Sequence, residues 1–317
     1  MVCLLDLANK KAEAKRLTVR APFAGGATRC ERQMSRYDNG PATAARSMIA
    51  AALVAIAMCL PRAEAAETLR IGGTGSALGG MQRLADAYVA RQNDGIDAVV
   101  LPSLGSGGGI KALIADTIDL CVSARPLKPD EKAQGLTERE YARTPLVFVT
   151  RHDTAAEGVT LEQMTSVYRG DTTTWPDGSR LRLVMRPAAE TDTVLLRTMS
   201  TEMDAAIQMA IGRSNLFVAV NDQDNAEALE SIDGSVGLIA VGQLRTENRK
   251  LKPLTIDGLA GTPESLSDGT YPYAKSLYLM VRPDRSPAAQ AFATFLASAE
   301  GGKILNDAGY LPIAPPD

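Results

Sequence analysis

The sequence predicts an α/β fold, and three observations carry that reading. Short apolar strands alternate with amphipathic helical segments from residue 67 to 312. Strand, glycine-rich turn and helix follow one another twice near the start, around Gly73 to Gly79 and Gly105 to Gly109. Several later strands, at 143–150, 234–241 and 272–281, are nearly continuous apolar runs, the pattern of strands buried on both faces.

The elements follow in order. Residues 67–72 alternate and read as a strand; a helix over 80–92 puts Met81, Leu84, Ala85 and Tyr88 on one face. A strand at 97–101 leads to the second glycine turn, a helix from Ile110 to Asp116 and a strand at 118–122. Residues 128–139 read as a charged helix or turn. Thr160 caps a helix over 161–168, with Glu162 and Gln163 in its first turn. A loop surrounds Trp175, and a strand over 181–185 ends at Arg186. Thr191 or Asp192 caps a helix beginning near Thr193, and further helices cover 202–211, 222–231, 287–297 and 301–308.

The longest apolar run, residues 48–60, has 13 residues, short for a bilayer span. Arg46 precedes it and Ala63-Glu64-Ala65 follows, so residues 1–65 read as a leader with a signal peptide, cleaved near Ala66. A short membrane anchor and lipidation at Cys59 are the alternatives. The leader carries ten Lys and Arg and five Asp and Glu. The remainder holds 24 basic and 32 acidic residues, a net charge of −8. That balance argues against nucleic acid or an anionic membrane as partner.

Three of the four cysteines, Cys3, Cys30 and Cys59, lie in the leader. Cys121 alone remains, a small buried hydrophobe by its surroundings, with no disulfide or cysteine metal site to form. His152 is the sole histidine and lies in a polar stretch without a nucleophile motif. A Ser-His-Asp triad or a two-histidine metal site has no support, and no catalytic residue, metal or cofactor is expected.

The glycine turns carry the candidate chemistry. A glycine turn at a helix start frees backbone N–H groups, and the helix dipole adds partial positive charge, so anions are favoured there. Each turn also carries hydroxyls, Thr74 and Ser76 in one and Ser106 in the other. A dinucleotide fingerprint is excluded because Leu78 stands where its third glycine belongs, and no Gly-Lys-Ser/Thr closes a P-loop. Two such turns at neighbouring parallel strand ends would converge on one crevice. Arg186, at a strand end before a helix start, offers a fork for an oxyanion; Arg125, after Ser123, is a second candidate, unless it pairs with a carboxylate.

These segments resemble the periplasmic phosphate-binding proteins of ABC transporters. The likeness rests on IGGTGSALGG, on GSGGGIKALIADTIDL followed by SARPL, and on LEQMTSVYRGDTTTWPDG, GSVGLIAV and YPYAKSLYLMV, in that order. It implies a two-lobed type II binding-protein fold: two β-sheets flanked by helices, with a double-crossing hinge. Lobe 1 would comprise 66–150 and 271–317, and lobe 2 would comprise 151–270. The resemblance places Thr74, Gly75, Ser76, Ala77, Ser106, Gly107, Ser123, Arg125, Arg186 and Thr191 around a small oxyanion, phosphate first. It further implies a monomeric periplasmic protein serving an ABC permease. A sensor or interaction module that has lost transport is the rival reading.

Two departures from the family's pattern matter. The family often has an aspartate after the residue aligned with Ser123; here it is Ala124. Its Arg-x-x-x-Ser-Gly-Thr is here Arg186 to Thr193 with Glu190, Thr191 and Asp192. A carboxylate about 5 Å from a bound anion costs about 3 kcal/mol at an effective dielectric near 20, or about two decades of affinity. Either these acids face away, or one accepts a proton from the ligand, or the ligand is another anion. The reading requires Thr74, Ser106 and Arg186 to meet across a cleft that Glu190 and Asp192 leave free.

Overall fold

The computed structural model describes residues 68–92, 96–284 and 286–314. The leader, with its apolar run at 48–60 and Cys59, lies outside the described residues. The elements run β1 (Thr68–Gly73), α1 (Gly75–Arg91), β2 (Asp97–Val100), α2 (Gly105–Ile114), β3 (Leu120–Ser123), α3 (Pro129–Lys132) and β4 (Thr137–Arg151). Then come β5 (Gly158–Val159), α4 (Leu161–Arg169), β6 (Arg182–Met185), α5 (Thr191–Arg197), α6 (Thr201–Ile211), β7 (Phe217–Val218), α7 (Asp222–Ser231), β8 (Ser235–Ala240) and α8 (Val241–Thr246). The chain ends with β9 (Leu251–Pro253), β10 (Thr255–Ile256), α9 (Pro263–Ser267), β11 (Ala274–Val281), α10 (Pro287–Leu296), α11 (Ala299–Asp307) and β12 (Leu311–Pro312).

The strands form a mixed ladder in the order β2-β1-β3-β11-β4-β8-β6-β7, with β9 and β12 also on β4 and a separate β5-β10 pair. β1, β2 and β3 are mutually parallel, and β11 runs antiparallel to β3 and β4. The two sheets expected from the sequence are joined through β4, whose 15 residues serve both. Its first part, to Pro145, pairs with β11, and Leu146 to Thr150 pair with β8.

Two hydrophobic cores follow the same division. Ile71, Met81, Tyr141, Ala142 and Phe292 belong to one, and Leu146, Phe148, Ile207 and Ile239 to the other. A third, smaller cluster forms under α2, where Cys121 is buried with Ile110 and Leu113, and burial pushes its thiol up to about 12.

Three local expectations are corrected. The segment expected as a charged helix or turn over 128–139 holds only the short α3 and then enters β4 at Thr137. Thr137 to Glu140 pair with β11, and Glu138, Arg139 and Glu140 are half-buried, so a strand, and not a helix face, accounts for the charge run. Both glycine turns are already helical: α1 starts at Gly75, not Gly80, and α2 at Gly105, not Ile110. The helix after Arg186 starts at Thr191, with Glu190 as its N-cap. The Thr160 cap is present, with Gln163 N–H donating to its hydroxyl oxygen at 3.0 Å and Thr160 N–H donating to the Gln163 side chain.

Gly73 sets the end of β1 against β3. Its φ is +139°, and an added Cβ would stand 1.9 Å from the Val122 carbonyl oxygen. The next residue, Thr74, donates its N–H to that same carbonyl at 2.9 Å. Gly73→Ala should therefore cost about 3 kcal/mol or more, by backbone strain and overpacking together. Urea denaturation checks this, and a loss below 1 kcal/mol would show that the contact relaxes freely.

Candidate anion-binding site

The start of α1 is capped from outside its own helix. Its N-cap, Thr74, accepts no backbone N–H of the first turn with its side chain. The Thr74 hydroxyl lies 3.2 Å from Ser76 Oγ and donates to Asp222 Oδ2 at 3.3 Å, and Ser76 N–H donates to the same oxygen at 3.1 Å. Asp222, the first residue of α7, thus does for α1 what an aspartate N-cap does within one helix, and it faces the positive end of the helix dipole. Gly75 permits the approach, since a Cβ there would fall 2.8 Å from Asp222 Oδ2. Gln223 adds a bond from its amide to the Gly75 carbonyl at 3.3 Å.

The other oxygen of Asp222 faces two cations, Arg186 Nη2 at 3.5 Å and Lys275 Nζ at 3.7 Å. Arg186 leaves the end of β6, donates from Nη1 to the Ala219 carbonyl at 2.9 Å, and donates from Nη2 to Glu190 Oε2 at 3.2 Å. Lys275 comes from β11, with Nζ 2.5 Å from Asp192 Oδ1. Lys275, Asp192, Asp222 and Arg186 are 2%, 3%, 4% and 6% exposed. These four buried charges cancel, and half-buried Glu190 brings the group to −1.

Glu190 also approaches the second helix start. Its Oε1 lies 3.9 Å from where a Cβ would stand on Gly105. Arg186 Nε is buried and has no hydrogen-bond partner among the described residues. The cavity between Arg186, Asp192, Thr193, Tyr168 and Leu238 measures about 10 Å³, room for about one water.

Burial disfavours the charged form of Asp222, but Lys275, Arg186, Ser76 N–H and the Thr74 hydroxyl outweigh it and hold its pKa below the usual 3.8. Burial likewise disfavours charged Lys275, yet Asp192 and Asp222 raise it above 10.5. Glu190 is raised above 4.5, by burial first and then by Asp222 and Asp192, with Arg186 opposing.

The structure brings Thr74, Gly75, Ser76 and Arg186 to one place. Ala77 follows in the first turn of α1, with its N–H turned to the Thr74 carbonyl at 3.1 Å. Ser106 is tied to the end of β3, its hydroxyl oxygen accepting from Ala124 N–H at 3.0 Å. The Ser123 hydroxyl donates to the Arg125 carbonyl at 2.7 Å and accepts its N–H at 3.2 Å. Gly107 is exposed in the first turn of α2, and Thr191 is half-buried as the first residue of α5. Arg125 holds Glu131 through both guanidinium nitrogens at 2.7 Å, lowering that carboxyl to about 2. Its fork is taken there and not by the Arg186 group.

The acids do not leave the cleft free. Glu190 and Asp192 both point into the charge group, and Asp222 stands between them and the α1 amides. Asp222 and Lys275 escaped the sequence reading. Lys275 did leave a signal, as a charge inside an otherwise apolar strand; Asp222 read only as a helix start.

A family model described as a PBP superfamily domain matches residues 61–300. The chain belongs to the PBP superfamily. Phosphate-binding protein PstS of Borreliella burgdorferi is 22% identical over 228 residues, 68% of this chain and 80% of that protein. The solved structure of a putative phosphate ABC transporter substrate-binding protein of Clostridium perfringens, with bound phosphate, matches at a TM-score of 0.65 and 19% identity. It covers 78% of this chain and 100% of that one. An ABC-type phosphate transport receptor of Vibrio cholerae gives 0.55 and 19%, with the same coverage. The resemblance read from the sequence is borne out. These superfamily relatives are binding proteins, not enzymes.

The buried charges set two expected outcomes. Lys275→Met leaves Asp192 and Asp222 short of a cation and should cost about 3–5 kcal/mol; adding Asp192→Asn should recover part of it, as chemical denaturation of the three proteins will read. The pH dependence has a definite sign. Asp222 is lowered, so its contribution is full above about 3.8 and lost as pH falls through its lower folded value. Lys275 is raised, so its contribution is full below 10.5 and lost as pH rises through its higher folded value. Glu190 is raised and works the other way, favouring the fold below about 4.5. The stability gap between wild type and Asp222→Asn should therefore be flat from pH 5 to 9 and close below pH 4. A gap that widens in acid contradicts the assignment.

Proposed function

We propose that this chain captures a small oxyanion, phosphate first, and delivers it to an ABC permease from the periplasm. Two lobes would close on the ligand, hinged where β4 changes partners between Pro145 and Leu146, with the return between Tyr271 and β11. Lobe 1 would carry 66–150 and 271–317 and lobe 2 would carry 151–270, β4 crossing a few residues before the boundary.

One observation carries the reading. The α1 start, the Thr74 hydroxyl and Arg186 already hold an anionic group, the Asp222 carboxylate, by the bonds an oxyanion would use. The names of the PstS relative from Borreliella burgdorferi and of the phosphate-bound structure from Clostridium perfringens support phosphate as that anion. Gly75 lies against Asp222 at the seat itself; Ala77, Ser106, Gly107 and Thr191 lie in the first turns of α1, α2 and α5 and Ser123 ends β3, and we assign these five to the rim of the site. Arg125, held by Glu131, would enter only by leaving that partner.

The neutral buried group favours a second reading, a sensor or interaction module whose cleft is permanently filled. Thermal melting with phosphate, sulfate, phosphonate, molybdate and citrate separates the two. Phosphate at a hundred times its dissociation constant should add about 2.7 kcal/mol, and Arg186→Ala should weaken it about 100-fold. With Glu190, raised by burial and paired with Arg186, beside the seat to accept a proton, hydrogen phosphate should bind more tightly than sulfate in calorimetry. A flat response to the whole panel would leave the module reading standing.

A further inference from the structure

The geometry points to Asp222 as a built-in competitor for the anion seat: we propose that its carboxylate latches the cleft shut and sets ligand affinity, and that a bound oxyanion must displace it. This rests on the oxyanion-capture reading and names the residue that regulates it.

Three observations converge. First, Asp222 takes the donors themselves, Ser76 N–H and the Thr74 hydroxyl with one oxygen, and it presents the other to Arg186 and Lys275. An incoming oxyanion finds the same amide already bonded. Second, the bonds cross between the two cores. Thr74 and Ser76 follow β1, packed in the first core, whereas α7 packs in the second, with Ala226 and Leu229 in its interior. The Gln223 bond to Gly75 and the Asp192–Lys275 pair cross in the same way. Third, the four buried charges already sum to zero. A dianion entering beside Asp222 would be uncompensated, whereas one replacing it leaves a single excess negative charge among the buried groups.

A latch of this kind lowers apparent affinity by the fraction of molecules in which the seat is free. If that fraction is about 1–10%, releasing the latch tightens phosphate binding on the order of 10- to 100-fold. Association should quicken by a similar factor, because ligand enters only the unlatched molecules. Loss of a nearby negative charge would by itself also tighten an anion, and Glu190→Gln measures that share, since Glu190 pairs with Arg186 but is not bonded to the α1 amides.

The experiment compares wild type, Asp222→Ala, Asp222→Asn and Glu190→Gln, each checked for its fold by circular dichroism. Phosphate affinity comes from calorimetry, association from stopped flow, and dimensions from small-angle X-ray scattering with and without phosphate. Expected for both Asp222 variants are tighter and faster phosphate binding than in Glu190→Gln, a larger radius of gyration without phosphate, and compaction with it. Asp222→Asn keeps the side-chain volume should Asp222→Ala fail to fold. Unchanged or weaker phosphate binding with unchanged dimensions overturns the latch, as does a gain no larger than that of Glu190→Gln. Expansion of the Asp222 variants with no phosphate binding in any protein upholds the latch and overturns phosphate as the ligand.

Discussion

One carboxylate, that of Asp222, is shared by a helix start, a guanidinium and an ammonium drawn from three different elements. Buried charges are tolerated only when each has partners, because desolvation of an unpaired one costs several kcal/mol. Here the partners are reciprocal. Lys275 answers Asp192 and Asp222, Arg186 answers Asp222 and Glu190, and the α1 amide and Thr74 hydroxyl satisfy the remaining oxygen. Such a junction differs from an apolar one in how it opens. Separating two apolar faces exposes them to water at full cost, whereas separated charges regain hydration. A boundary built from ion pairs therefore suits lobes that must part and rejoin.

The strand ends make that junction possible. β1 and β3 are parallel neighbours, and the close contact of Gly73 with the Val122 carbonyl brings the exit of β1 onto β3. Thr74 is then fixed by its own N–H, and α1 starts at the next residue, with Ser76 N–H on Asp222. The exit of β2 gives α2, whose Gly105 lies near Glu190. Both helix starts thus meet carboxylates from the second half of the chain, one bonded and one adjacent. A helix dipole acts over about its first turn, so the 3.1 Å bond to Asp222 is favoured far more than the looser approach of Glu190.

Much of the fold was legible in residue patterns. Alternation placed β1, and apolar runs placed β8 and β11, because burial on one or both faces writes itself into the sequence at period two or as an unbroken run. Thr160 and Gln163 announced the start of α4, because a capping box is local. What stayed hidden was long-range. The residues from Thr137 to Glu140 look like a charged helix unless β11 is known to lie beside them. The glycines of α1 and α2 read as loop, because glycine is a poor helix former and tertiary contacts override that preference here. Asp222 is 148 residues from Thr74, and no local pattern marks that its side chain leaves its own helix to cap another. Thr74, Gly75, Ser76 and Arg186 could be named from motif; the anion that holds them together could not.

The acids that disturb the family pattern take on a physical sense in this light. Asp192 does not turn from the cleft: its cation is Lys275, fixed in β11 and 2% exposed. Glu190 pairs with Arg186 but remains half-buried, and burial raises its pKa. The three carboxylates are therefore not equivalent toward an incoming anion. Asp192 cannot leave without stranding a buried ammonium. Glu190 is only half-buried and touches no backbone amide of α1. Asp222 alone occupies the amide and hydroxyl an oxyanion needs, and it is also the one whose two cations would gain a replacement as it departs. Charge balance and geometry thus single out the same residue, so the affinity of the cleft depends less on how well it fits a ligand than on how firmly it holds its own carboxylate.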